Sequence, residues 1–265
     1  MTPLAQLPPG LWRHIHGVFT DIDDTLTTDG ALTADARAAL TALRAAGLPV
    51  IAITGRPVGW SQPFARQWPL SAIVAENGAV ALIPQPDGSL RKLYAEPDSA
   101  RRQANYQRLQ AVAAQVLREV PGARLAQDSP GRETDIAIDH SEHHRLPAEA
   151  IEQAAALMRR EGLNATVSSI HINGWLGAHD KFSGAHWIAR ALLGRELAGE
   201  IDRWLYVGDS SNDERMFQRF PHSVGVANIA RFAPHMQHLP RYIASSPRGA
   251  GFAQAAHALL AQRQA

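Results

Sequence analysis

Residues 18–27 read V-F-T-D-I-D-D-T-L-T, which puts three carboxylates, Asp21, Asp23 and Asp24, within four positions directly after an apolar run. Carboxylates this crowded repel one another, and a divalent cation offsets that repulsion most simply. An Asp at the end of a buried strand, beside a cation, is placed to attack phosphorus. The stretch therefore points to a magnesium-dependent phosphotransfer site at the C-terminal end of a strand. An EF-hand loop would need Gly at its sixth position and Glu at its twelfth. Counted from Asp21, those positions hold Leu26 and Leu32, so that reading fails. Asp21 and Asp23 share a face of an extended segment, with Ile22 turned to the core. One carboxylate can attack phosphorus; the other can protonate the leaving oxygen and then activate water.

Outward from this stretch the chain alternates strand and helix. Residues 17–22 read as a buried strand and 33–46 as an Ala/Leu-rich helix, with Thr33 as N-cap and Gly47 as its stop. Residues 49–53 and 72–75 are further buried strands, with Pro57 suited to a first helical turn. Continuous apolar strands separated by helices predict a parallel sheet covered on both faces.

The rhythm then changes. Residues 79–83 and 91–95 flank Pro84-Gln85-Pro86-Asp87-Gly88, a hairpin signal. A long helix over 98–119 follows, then paired strands over 124–127 and 134–139, a helix over 146–161 and a strand over 166–172. From Lys181 the first rhythm resumes, with a helix over 182–193, a strand over 204–207, a helix over 214–220, a strand over 223–226 and a closing helix over 252–262. The fold class is α/β, a Rossmann-like core over residues 1–84 and 180–265 interrupted by an α+β cap over 85–179.

Composition narrows the function. A net charge of +1 offers no strong pull toward nucleic acid or an anionic membrane. The absence of cysteine excludes disulfides, thiolate metal sites and Cys nucleophiles. No apolar run reaches the length of a membrane span or a signal peptide, so the expectation is a cytoplasmic enzyme with no membrane partner. Nothing in the chain fixes an oligomeric state.

Three further segments lie at strand ends or helix starts: A-I-T-G-R around Thr54, H-D-K-F-S-G-A around Lys181, and G-D-S-S-N-D from Gly208 to Asp213. Taken singly, each has a plain explanation as a turn, a solvated lysine or a capped helix start. In this order, after D-I-D-D-T, they resemble the four motifs of the haloacid dehalogenase-like (HAD) hydrolase superfamily. The insertion between the second and third motifs, with E-N-G-A before it, resembles the C2-capped IIB branch. That branch holds Cof-type sugar phosphatases, sucrose-phosphate and mannosyl-3-phosphoglycerate phosphatases, and eukaryotic phosphomannomutase.

The resemblance implies catalytic roles for Asp21 (nucleophile, forming an aspartyl-phosphate), Asp23 (general acid/base), Thr54 (phosphoryl hydrogen bond) and Lys181. It implies Mg2+ held by Asp21, Asp209 and the main-chain carbonyl of Asp23. Asp213 would support the metal or orient Lys181, and Asn212 would contact metal-bound water or substrate. Asp24 receives no chemistry. Gly55, Arg56 and Asn77 stand beside the catalytic edge as substrate-binding candidates, although Glu76-Asn77-Gly78 is equally a turn.

In the cap, the candidates are Arg132, Glu133 and Asp135, and then His171, Asn173 and Trp175, which alternate onto one face. Polar side chains beside an indole resemble a sugar-binding surface; an amphipathic edge strand explains the same pattern. The run His140-Ser141-Glu142-His143-His144 reads as a solvated turn before Pro147 rather than a transition-metal site. The expected partner is a small phosphorylated metabolite, hydrolysed by a Mg2+-dependent phosphatase. A phosphomutase on the same scaffold and a non-catalytic binding module are the other readings.

Overall fold

The computed structural model describes residues 1–264. Strands β1 (Thr2–Pro3), β2 (Gly17–Thr20), β3 (Val50–Ile53) and β4 (Ala72–Ala75) frame the helices α1 (Ala34–Ala45) and α2 (Val58–Gln67). A hairpin of β5 (Val80–Pro84) and β6 (Leu90–Tyr94) follows, then α3 (Ser99–Glu119), β7 (Asp135–Asp139), α4 (Ala148–Arg160), β8 (Asn164–Val167) and β9 (His171–Trp175). The chain closes with α5 (Lys181–Leu193), β10 (Trp204–Gly208), α6 (Glu214–Arg219), β11 (His222–Gly225), β12 (Tyr242–Ile243) and α7 (Arg248–Gln264).

Among the described residues, nine strands form one sheet in the order β1-β12-β11-β10-β2-β3-β4-β5-β6. The first seven in that order run parallel; β5 and β6 are antiparallel additions. The expected period-2 logic holds within the buried strands. Val18, Val50, Ile73 and Leu205 join the core on one face with α1, α2 and α7. Phe19, Ile51, Val74 and Tyr206 join the core on the other with α5 and α6. Connections from β2 run outward to β3 on one side, whereas its other neighbour is the much later β10. The carboxyl ends of β2 and β10 therefore meet at a topological switch point, where open α/β sheets leave a crevice for ligands.

A second, antiparallel sheet has the order β7-β9-β8. Its outer face packs Ile136, Ile138 and Ile172 against Leu109, Val116, Ala154 and Met158 of α3 and α4. Its other face pairs Asp135 with Trp175, Ala137 with Asn173 and Asp139 with His171. That polar face is turned to the carboxyl edge of the large sheet. No helix among the described residues is long and apolar enough to cross a membrane.

Several elements differ from the sequence expectation. The second strand of the hairpin, β6, pairs with β5 in the large sheet, so sheet membership changes after Tyr94 and not at residue 84. The turn Pro84–Gly88 is tight enough to fold the chain straight back on β5. Residues 124–127 form no strand and touch β7 only through a bridge between Leu125 and Ile138. The strand expected over 166–172 is two strands, because the Ser168 hydroxyl accepts from the amides of Ile170 and His171 and turns the chain. Two short strands, β1 and β12, went unread; each has only two residues.

Candidate active site

Main-chain geometry puts Asp21 at the switch point. Its amide continues the parallel ladder by donating to Val207 O at 2.9 Å, one residue past β2. Lys181, at the first position of α5, reaches it from the opposite side, with Nζ 2.6 Å from Asp21 Oδ1 and 2.7 Å from Asp213 Oδ1. Lys181 is held there by its helix start: Asp180 caps α5 through Ser183 N, and the first turn of α5 packs on the bend at 76–78.

That packing needs a glycine. Gly78 has φ +102°, and a Cβ on it would run into the carbonyl of Asp180 and the backbone of Gly184. Gly78→Ala is expected to destabilise by at least about 2 kcal/mol and to lower the melting temperature by roughly 5 °C or more. It should weaken catalysis as well, since Asp180 cannot shift without Lys181. A thermal melt beside a phosphate-release assay checks both.

Asp213 is the most fully bonded of the three clustered acids, Asp21, Asp209 and Asp213. Its Oδ1 also accepts from the Tyr206 hydroxyl at 2.6 Å, and its Oδ2 from the amides of Asp209 (2.9 Å) and Ser210 (3.3 Å). Asp209 differs. Its Oδ2 takes one bond from Asn228 Nδ2 at 2.8 Å, while its buried Oδ1 has no partner among the described residues. Oxygens of Asp21, Asp209 and Asp213 lie within 4.8 Å of one another.

Burial, with Asp213 and Asp23 adding to it, pushes the Asp21 carboxyl up to about 7 even though Lys181 opposes the shift. Burial and the neighbouring Asp21 and Asp213 push Asp209 up strongly. Burial alone would lower the Lys181 ammonium, but Asp21 and Asp213 outweigh it and raise it. An orphaned carboxylate oxygen in a crowded, oxygen-only site fits a hard divalent cation such as Mg2+. Asp21 and Asp209 have the oxygens to hold it. Asp213 has both oxygens committed to protein donors, so it fits the orienting role.

At the end of β3, the Thr54 Oγ1 accepts from Arg56 N at 3.0 Å, which turns the hydroxyl toward the same edge. Asp23 does not join the acid cluster. It faces Arg56, with Nε 2.9 and 3.0 Å from its two oxygens and Nη2 2.8 Å from Oδ1. Arg56 also meets the inserted segment: its Nη2 donates to Glu142 Oε1 at 2.7 Å and its Nη1 to Glu142 Oε2 at 3.1 Å and Asp128 Oδ2 at 3.3 Å. His171 Nε2 lies 2.9 Å from Glu142 Oε2. Burial would raise Glu142, but His171 and Arg56 outweigh it and bring it down to about 2.

The structure brings together most of the other candidates. Arg132 Nη1 and Asn173 Nδ2 both donate to the carbonyl of Gly55, at 3.0 and 3.2 Å, and to Asp135. Asn77 Nδ2 stands 3.5 Å from Asp135. Burial pushes Asp135 up to about 7 against the pull of Arg132. Asn212 is held by Ser210 Oγ and lines the space over Asp21. Two candidates lie elsewhere. The Glu133 carboxylate bonds Lys92 and Tyr94 on β6, and the Trp175 indole donates to His179 O beside a larger cleft. Trp175 shares a strand face with His171 and Asn173, but it lines the larger cleft and not the space over Asp21.

The expectation of a solvated turn over 140–144 holds for Ser141 and His143, which are exposed, and is corrected for His140 and Glu142. His140 is buried, and the Asp139 carboxylate accepts from the amides of Ser141, Glu142 and His143 at 2.9–3.1 Å. The loop is built to deliver Glu142. Sequence reasoning also missed Asn228, Tyr206, Asp128 and Glu76. Glu76 is fully buried and accepts from the amides of Val58, Glu133 and Thr134, which ties the large sheet to the start of β7. A signal for Asn228 was its place directly after a strand ending at the catalytic edge, and one for Glu76 was its place at the head of E-N-G-A; Tyr206 and Asp128 carried none.

The space enclosed over Asp21 is about 10 Å³, room for one water. Asp21, Asp23, Thr54, Arg56, His171 and Asn173 line it, with the turn at 168–170. Beside it, bordered by Lys181 and Asn212, opens a cleft of about 690 Å³.

The parallel sheet thus carries an acid–lysine cluster at its carboxyl edge. The chain belongs to the haloacid dehalogenase-like hydrolases, whose family model matches residues 18–169. No curated protein matches it. Among solved structures it is similar to Thermoplasma acidophilum protein 0175, with a TM-score of 0.68 at 18% identity, covering 93% of this chain and 98% of that one. It is also similar to the sucrose-phosphatase of Synechocystis in complex with sucrose and phosphate, with a TM-score of 0.64 at 16% identity, covering 93% and 98%. A trehalose-6-phosphate phosphatase related protein gives a TM-score of 0.61 at 14% identity, covering 94% and 99%. At these identities the likeness is one of fold.

Proposed function

We propose that this protein is a Mg2+-dependent phosphatase of a small phosphorylated metabolite of the sugar-phosphate class, with the inserted segment after β6 acting as its cap. The observation that carries the reading is the geometry around Asp21. A buried carboxylate with one oxygen bound by Lys181 keeps its other oxygen for phosphorus, and Thr54 points a hydroxyl to the same edge. The sucrose- and trehalose-related neighbours favour a sugar-phosphate substrate.

In the first step Asp21 attacks phosphorus, the bond to the leaving oxygen breaks, and Asp23 gives that oxygen its proton. In the second, Asp23 takes a proton from water, which attacks the aspartyl-phosphate and releases phosphate from Asp21. Asp23 and Arg56 must loosen their bidentate contact for the acid to carry its proton. Glu142 and Asp128 keep the guanidinium paired meanwhile. Lys181 holds the nucleophile and neutralises charge on the transferring group, and Asp213 with Tyr206 fixes Lys181. Mg2+, held by Asp21, Asp209 and the carbonyl of Asp23, would supply further neutralisation of that charge. The closed cap excludes water from the first step.

The test is phosphate release from p-nitrophenyl phosphate and a panel of sugar phosphates. Activity should require Mg2+ and disappear with EDTA. No release from any ester, or release indifferent to EDTA, would overturn the reading.

A further inference from the structure

We propose that Asn228 is a positioning residue for the metal site, setting which oxygen Asp209 presents and holding the peptide that carries the Asp23 carbonyl; this rests on the Mg2+-dependent reading above. Asn228 stands just past β11, where Val226 N donates to Gly208 O at 3.1 Å and Ala227 N to Ser246 O at 3.0 Å. Its side chain joins three segments: the turn after β2, the turn after β10 and the start of α7. Nδ2 donates to Asp24 O at 3.0 Å and to Asp209 Oδ2 at 2.8 Å, and Oδ1 accepts from Arg248 N at 2.9 Å. These partners fix the orientation of the amide. Flipped, it would set its NH2 against the Arg248 N–H and its oxygen against two acceptors.

Each bond has a consequence for the site. With Oδ2 of Asp209 held, the buried Oδ1 is the oxygen left without a partner. The holding group is also neutral. Lys181 brings a positive charge to Asp213, whereas an amide orients Asp209 and leaves its charge for a cation. Arg231, half exposed, comes no nearer than 3.9 Å, and to the oxygen that Asn228 already holds. At Asp24 the backbone is left-handed, with φ +56°. This angle joins the Asp23–Asp24 peptide to the rest of Asp24, so fixing Asp24 fixes the direction of the Asp23 carbonyl. Asn228 holds its carbonyl, while Arg248 Nε at 3.0 Å and Arg231 Nη2 at 3.5 Å hold its carboxylate. Arg248 is left-handed as well, with φ +55°. That conformation is unfavourable for residues with a side chain, and here two of them meet one amide.

The experiment titrates Mg2+ calorimetrically into the wild-type protein, Asn228→Ala and Asn228→Ser, well below the melting temperature of each, with thermal melts in EDTA alongside. Asn228→Ala should raise the Kd for Mg2+ by at least about tenfold, the usual effect of removing a group that orients a metal ligand. Asn228→Ser keeps a small polar group that cannot span both acceptors. It should weaken Mg2+ binding in the same direction, and it carries the test if the alanine variant does not fold. A role confined to tying the three segments together would lower the melting temperature in EDTA and leave the Kd at its wild-type value. That result overturns the proposal and leaves the phosphatase reading standing. A wild-type protein that binds no Mg2+ removes the Mg2+-dependent reading and this inference with it.

Discussion

Asp21→Asn should lower kcat for every phosphate ester by at least about 10^4-fold, because a carboxamide cannot form the covalent intermediate. The same substitution should make the metal-free protein more stable, and only above acid pH. The sign follows from the carboxyl pKa, which rises from 3.8 to about 7 on folding. Between those values the folded state binds a proton that the unfolded chain has released, so stability falls as pH rises across that window. Asn carries no such penalty and can still accept from Lys181. In EDTA the variant should therefore melt above wild type at about pH 8, and the gap should close toward pH 4. A variant that melts below wild type at the higher pH would mean that the Lys181–Asp21 pair outweighs burial and repulsion.

Lost activity and gained stability together are what a site assembled against its own electrostatics predicts. Three acids packed beside one ammonium are stable only while protons or a cation occupy them. Mg2+ should accordingly raise the melting temperature of wild type, and more at about pH 8 than at about pH 5, since protons compete for the same oxygens.

Strand β2 and the acids after it were legible because burial on both faces forces an unbroken apolar run, and because a charge cluster after such a run has few explanations. The same logic found β3, β4 and β10 and the residues at their ends. Legibility failed where structure rests on long-range pairing. Strands β1 and β12 are too short for periodicity, and each exists only because the other edge is there to pair with. Residues 168–170 look like strand in sequence, and a serine hydroxyl decides the turn. Glu142 was hidden for a related reason. In sequence it lies in a polar, histidine-rich run typical of solvated loops. Its placement depends on Asp139 collecting three amides and on Arg56, 86 positions away, receiving the carboxylate. Asp213 was read as a supporting acid, and sequence spacing could not choose between water-mediated metal support and orientation of Lys181; its contact with Lys181 appears only in the fold.

Asp213→Ala should be the most damaging change to the fold among the site acids, the opposite in sign from Asp21→Asn. Four buried donors end on this one carboxylate: Lys181 Nζ, the Tyr206 hydroxyl, and the amides of Asp209 and Ser210. Removing it leaves them unpaired, and Lys181 keeps only Asp21 as a charge partner. Breaking a buried, hydrogen-bonded pair in this way costs about 3–5 kcal/mol, or roughly 10 °C in melting temperature for a chain of this size. Loss of Lys181 orientation should lower kcat by a further 10²- to 10³-fold or so. Asp209→Ala is the control, since it deletes an orphaned oxygen and a source of repulsion while sparing those four donors. It should leave the metal-free protein as stable as wild type or more so, and abolish the stabilisation by Mg2+. Thermal melts of both variants with and without Mg2+ separate the roles. If Asp213→Ala melted like wild type in EDTA and lost only its response to Mg2+, Asp213 would be a ligand rather than the post that holds Lys181.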